Sequence, residues 1–204
     1  MATLADVRAG DIMFSKRLKP RMVEALVWGG QLILGETGYP QHVGVVTEAA
    51  WAWELGREAS RGPLMVQAMP RGAEEVEMTD LRHWTGDVVF IRPRYAEGQA
   101  EAVARAARGY VGTPYSFLDY VSIAAHHLDP VWRIAPGACG SQRLAQYVRD
   151  SGHMICSQLA DQSMADGGWH VFDDGRLPQD VTPAALHAKM LADGPALVLG
   201  MGRP

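Results

Sequence analysis

The chain has 204 residues, 48% of them hydrophobic, which is enough for one sizeable core and gives no reason to divide it, so a single domain over 1–204 is expected. Charged residues make up 21% and the formal net charge is -4, leaving no surplus of lysine and arginine to neutralise a phosphate backbone; nucleic acid is excluded as the main partner. The opening MATLADVRAGD lacks the basic start and apolar run of a secretory signal, and no segment reaches the ~20 uninterrupted apolar residues of a membrane span. A protein cytoplasmic as synthesised, without stable membrane insertion, is therefore expected.

Taken in order, Gly10 and Asp11 followed by Ile12, Met13 and Phe14 read as a turn and a first strand. Residues 20–34 carry apolar side chains at near-helical spacing, and 35–40 break it. Residues 41–47, rich in β-branched side chains and bounded by Pro40, predict a buried strand with His42 near its head. A further strand is predicted over 64–69, bracketed by Pro63 and Pro70. The stretch 48–61 between them, with Trp51 and Trp53, is compatible with a hairpin excursion or a short helix. Glu74, Glu75 and Glu77 suit a solvated edge strand or loop.

Residues 79–84 suggest a capped turn and 86–92 a strand ended by Pro93. The character then changes. Residues 97–110, 115–128 and 141–149 predict helices, and a last one is expected from about 154 to 165, stopped by Gly167 and Gly168. Strands first and helices later, without repeats, indicate an α+β domain.

The chemistry turns on Cys156, placed in the first turn of that last helix. A thiol attacks a carbonyl as thiolate, and a helix N-terminus together with a neighbouring imidazole favours that form. His42, at the head of its strand, is the expected base, and Gln67 in the next strand is the expected orienter of its ring, accepting from the second ring nitrogen. Two cysteines, Cys139 and Cys156, permit one disulfide, but a chain of this size does not need one, and a free thiol is the starting expectation.

The order of Gly10 to Phe14, then Gln41 to Val46, then Val66 to Pro70, then Gly112 to Tyr115, and finally Ile155 to Leu159 resembles the circularly permuted branch of the NlpC-type thiol peptidase superfamily, in which the histidine strand precedes the cysteine helix. The resemblance spans nearly everything from Gly10 to Ala165. It implies a papain-like fold, an antiparallel sheet packed against helices including the one that carries the nucleophile. It also implies hydrolysis of an amide or ester through a thioester, with bacterial cell-wall peptides as the common substrate and no cofactor. Lecithin retinol acyltransferase-like relatives act on lipid acyl esters. Gln67 and Gln158 both stand where the family commonly has glutamate. Gln41, Tyr115 and Ser157 are the residues expected to contact substrate.

Each assignment has an ordinary structural counterpart. Cys156 suits a small core position, His42 and Gln67 suit satisfied polar strand positions, and Tyr115 suits packing. Cys139 lies in a loop. His126, His127 and His153 complete no recognisable metal pattern, so no metal is expected. Trp84, Trp132 and Trp169 fit core or cleft wall. Beside amide hydrolysis stand two other classes of function: acyl transfer or thioester hydrolysis on a lipid-like ester, and a catalytically silent binding or assembly protein.

Overall fold

A computed structural model describes residues 4–16, 39–50, 62–78, 88–115, 154–176, 178, 181–194 and 197–201. Six strands pair throughout in antiparallel fashion: β1 (Ile12–Ser15), β2 (His42–Glu48), β3 (Leu64–Met69), β4 (Gly72–Glu77), β5 (Val88–Arg92) and β6 (Leu197–Met201), in the sheet order β4-β3-β2-β1-β5-β6. Three helices are described: α1 (Gln99–Gly109), α2 (Cys156–Asp166) and α3 (Pro183–Ala192). The domain is α+β, an antiparallel sheet with helices, as expected.

Both faces of the sheet are covered. Ile12, Phe14, Val43, Val45, Val66, Ala68 and Ile91 pack with Val103 and Ala107 of α1, Leu159 and Ala160 of α2, and Leu186 and Met190 of α3. Met13, Val46, Met65, Val88 and Phe90 point the other way, against Val7 and Met78. Because successive side chains alternate between faces, this division follows from the strand pleat. Complete burial of a residue such as Phe14 or Phe90 contributes about 2–3 kcal/mol.

The acidic run lies on β4, which forms one edge of the sheet, where charge discourages pairing with another chain. At that edge the β3–β4 turn closes on Gly72, whose φ of 115° suits glycine. A Cβ there would also lie 3.1 Å from the carbonyl oxygen of Thr113. At the C-terminal end of α2, Gly167 brings the helix so close to α1 that a Cβ would lie 2.7 Å from the backbone nitrogen of Val103. The apposition of α1 and α2 therefore needs glycine at that position.

The Asp11 carboxylate, 1% exposed, accepts from Nε and Nη2 of Arg92, each at 2.7 Å, and from the backbone N–H of Arg8 at 2.9 Å. Arg92 also donates to the carbonyl of Asp6 at 2.8 Å. This fork ties the start of β1 to the end of β5, and its hydrogen bonds to Asp11 hold the guanidinium more firmly protonated than usual.

The expected helices over 20–34, 115–128 (except Tyr115, which forms an isolated bridge with Met154) and 141–149, the turn at 79–84, most of 48–61, Cys139, and His126, His127 and His153 lie outside the described residues. So do Trp51, Trp53, Trp84 and Trp132. Trp169 is partly buried against the helical core and meets Tyr95 edge to face. No helix among the described residues is long and apolar enough to cross a membrane.

Candidate active site

His42 opens β2, where it pairs with Ser15, the last residue of β1. Its Nε2 and Oε1 of Gln67 are 2.8 Å apart. The contact follows from register: Gly44 faces Gln67 across the β2–β3 ladder, so His42 is the diagonal neighbour of Gln67 on the same face. Gln67 is 6% exposed, and its Nε2 donates to Oε1 of Glu74 at 3.2 Å. An acceptor-only carboxylate must meet the NH2 end of the amide, which turns the amide oxygen toward the ring. In that orientation the amide oxygen faces Nε2 of the ring.

Cys156 is the first residue of α2. The helix start is fixed by a chain of backbone bonds: Gly112 N–H to Ala73 O and Ala73 N–H to Thr113 O, each 2.8 Å, then Met154 N–H to Pro114 O at 3.0 Å. Tyr115 and Met154 form an isolated parallel bridge. Ala73 follows the β3–β4 turn, so α2 begins at the end of the sheet where β3 finishes, β1 finishes and β2 starts at His42. Cys156 is 2% exposed and packs with the helical core. His42 and Gln67 share the pleat of Val46 and Met65, whereas Cys156 packs in the cluster on the other face of the sheet.

Gln158, at the third helical position, accepts from the backbone N–H of Ile155 at 2.9 Å, which satisfies a buried donor just before Cys156. This explains a glutamine there without any contact to substrate. Ser157 is fully buried and its hydroxyl donates to Val181 O at 2.7 Å, tying α2 to the lead-in of α3. Gln41 is 4% exposed, and its backbone N–H donates to Ser15 O at 2.9 Å. Tyr115 is half-buried against the core beside the start of α2, a position on the wall of the site.

Three features escaped the sequence reading. Ser15 Oγ is buried beside His42 in the ladder and has no hydrogen-bond partner among the described residues. Glu74 reads as surface charge until the register places it opposite Gln67. Helix α3 places His187 edge-on to both Phe14 and Tyr39, where burial favours the neutral ring. Its start was legible as Thr182-Pro183, a capping residue before proline; the Thr182 hydroxyl accepts from Ala185 N–H at 3.1 Å.

Asp161, further along α2, is 7% exposed, and burial pushes its carboxyl up to about 6, against smaller opposing pulls from His170 and Arg176. A folded-state value above the unfolded one means that the proton stabilises the fold; this contribution is full below the unfolded value and is lost as pH rises through about 6. Asp161→Asn is therefore expected to raise stability by about 2 kcal/mol at neutral pH, a gain that fades toward zero below roughly pH 4. Urea melts of both proteins at the two pH values check this, and an equal effect at both would contradict it.

A separate cavity of about 370 Å³ opens among Pro93, Arg94, Trp169, His170, Met190 and Asp193, beyond the opposite end of β5 from His42. It shares no residue with Cys156, His42, Gln67 and Glu74. Among the described residues no group of three or more His, Cys, Asp or Glu side chains converges as metal ligands.

No protein-family model matches the chain, and no curated protein sequence matches it. Among solved structures, it is similar to the crystal structure of metalloprotein yiiX from Escherichia coli O157:H7, DUF1105, with a TM-score of 0.50 and 16% identity over 97% of each chain. At that identity the likeness concerns the fold, which the two chains share over almost their whole lengths.

Proposed function

We propose that the protein is a cysteine hydrolase of papain-like, permuted NlpC-type fold, cleaving an amide bond, with peptides of the cell-wall kind as the favoured substrate class. The observation that carries this reading is the His42–Gln67 hydrogen bond, made through Nε2, at the end of the sheet where α2 begins with Cys156. The structural neighbour is called a metalloprotein. The described residues offer no ligand set for a metal, and the chemistry proposed uses none.

Proton transfer from the thiol to Nδ1 of His42 gives a thiolate beside an imidazolium. The sulfur attacks the carbonyl carbon, and the carbonyl π pair moves to oxygen. The backbone N–H of Cys156, at the first position of α2 and the positive end of its dipole, is the proposed donor for that oxyanion. Collapse expels the amine, which takes the imidazolium proton, and leaves a thioester. Water then attacks the thioester while its proton passes to His42; the sulfur leaves and is reprotonated. Gln67 keeps the ring in the tautomer that both half-reactions need. Tyr115 and Gln41 border the substrate.

The test is acyl-enzyme trapping. Purified protein is mixed with a cell-wall-type peptide amide or a long-chain acyl ester, quenched, and analysed by mass spectrometry. An acyl mass on the peptide containing Cys156, with kcat/KM higher for the amide, supports the proposal. Preference for the ester moves the assignment to acyl transfer. Turnover without any adduct that persists in Cys156→Ala overturns it.

A further inference from the structure

We infer that Glu74 is a positioning residue for His42, acting through Gln67 and supplying from the next strand the negative charge that an orienting glutamine lacks. The inference rests on the cysteine-hydrolase reading above and adds a residue to its machinery. A side-chain amide has two ends of similar shape and opposite hydrogen-bonding sense. If its oxygen faces the ring, the imidazole carries its proton on Nε2; if its nitrogen faces the ring, Nε2 must accept and the proton moves to Nδ1. Only the first arrangement leaves the Nδ1 lone pair able to take a proton from a thiol. Glutamine alone does not decide between them.

Glu74 decides. It lies directly opposite Gln67 in the β3–β4 ladder, on the same face, and its Oε1 accepts from Gln67 Nε2 at 3.2 Å. A carboxylate rejects the oxygen end of the amide, so the oxygen is directed to His42 at 2.8 Å. The neighbouring acidic residues are otherwise engaged. Glu75 points to the opposite face, where Thr47 and Arg108 donate to it, and Glu77 accepts from Gly62 N–H. When the ring becomes imidazolium, the Glu74 charge stabilises it through the polarised amide. Glu74 is exposed, so solvent screening keeps that effect modest.

Two measurements on the full-length protein test this. The first is nitrogen-edited NMR of the His42 ring, which reads its tautomer whether or not a substrate is known. The parent protein is expected to show the Nε2-protonated form, and Glu74→Ala a mixture of both. The second is kcat/KM against pH. Glu74→Ala is expected to lose about tenfold and Glu74→Gln about threefold, mainly in kcat, with the alkaline limb moved to lower pH because imidazolium is less favoured. The double variant Gln67→Glu, Glu74→Gln places the carboxylate against the ring and is expected to recover the parental alkaline limb. An unchanged tautomer in Glu74→Ala, or parental kinetics in an active enzyme, overturns the inference. Loss of turnover from Cys156→Ala and His42→Ala, alongside a silent Glu74→Ala, leaves the hydrolase reading standing and removes this one alone.

Discussion

Replacement of Cys156 by alanine is expected to abolish turnover, with a fall in kcat of at least about 10⁴, because the proposed thioester forms on its sulfur. Stability should change little. The sulfur packs in the helical core, and its deletion leaves a cavity of less than one side chain, costing about 1 kcal/mol, so the variant remains folded and its melting curve remains cooperative. His42→Ala is expected to bring kcat down by a similar order, and the double variant to lose scarcely more than either single one, since the two residues act as a unit. Steady-state kinetics of the three variants check this. Additive losses, or parental activity in Cys156→Ala, would contradict the assignment.

The second large effect concerns the fold. Asp11→Asn keeps the shape of the fork with Arg92 but removes its charge, and only part of the guanidinium reaches solvent, 22% of that side chain being exposed. Breaking one partner of such a pair is expected to cost about 3 kcal/mol, roughly a 10 °C fall in melting temperature for a chain of this size. Arg92→Leu in the Asp11→Leu background should restore part of that loss, because two apolar residues leave no charge unmatched. Calorimetry on the single and double variants decides. An Asp11→Asn protein as stable as the parent would show that the fork contributes little.

Much of the sheet was legible in the chain. Strand β3 was read to the residue because Pro63 and Pro70 bracket it. The end of α2 was marked by Gly167 and Gly168, and its start fell two residues later than expected because Met154 pairs with Tyr115 in place of entering the helix. The partnership of His42 and Gln67 was also anticipated. What could not be read is the assignment of faces. Both sides of the sheet are buried, so Val43 and Val46 look alike in sequence while lying in different cores, and alternation of polarity gives no signal. Glu74 looked like edge charge for the same reason, since its role depends on ladder register. The hydroxyl of Ser157, beside the candidate nucleophile, donates to a buried carbonyl, a bond that depends on a partner 24 residues away and has no local signal. Strand β6, which pairs with β5 at the far edge of the sheet, was not anticipated.

The central claim is that the sulfur at the start of α2 and the imidazole at the start of β2 share a proton. The most direct measurement is the rate of iodoacetamide alkylation at Cys156, followed by mass spectrometry at mildly acidic pH in the native parent and in His42→Ala. The account predicts faster alkylation than a free cysteine in the parent, and a return to the ordinary thiol rate when the imidazole is removed. A Cys156 that reacts no faster than a free thiol, or equally fast with and without His42, would contradict it.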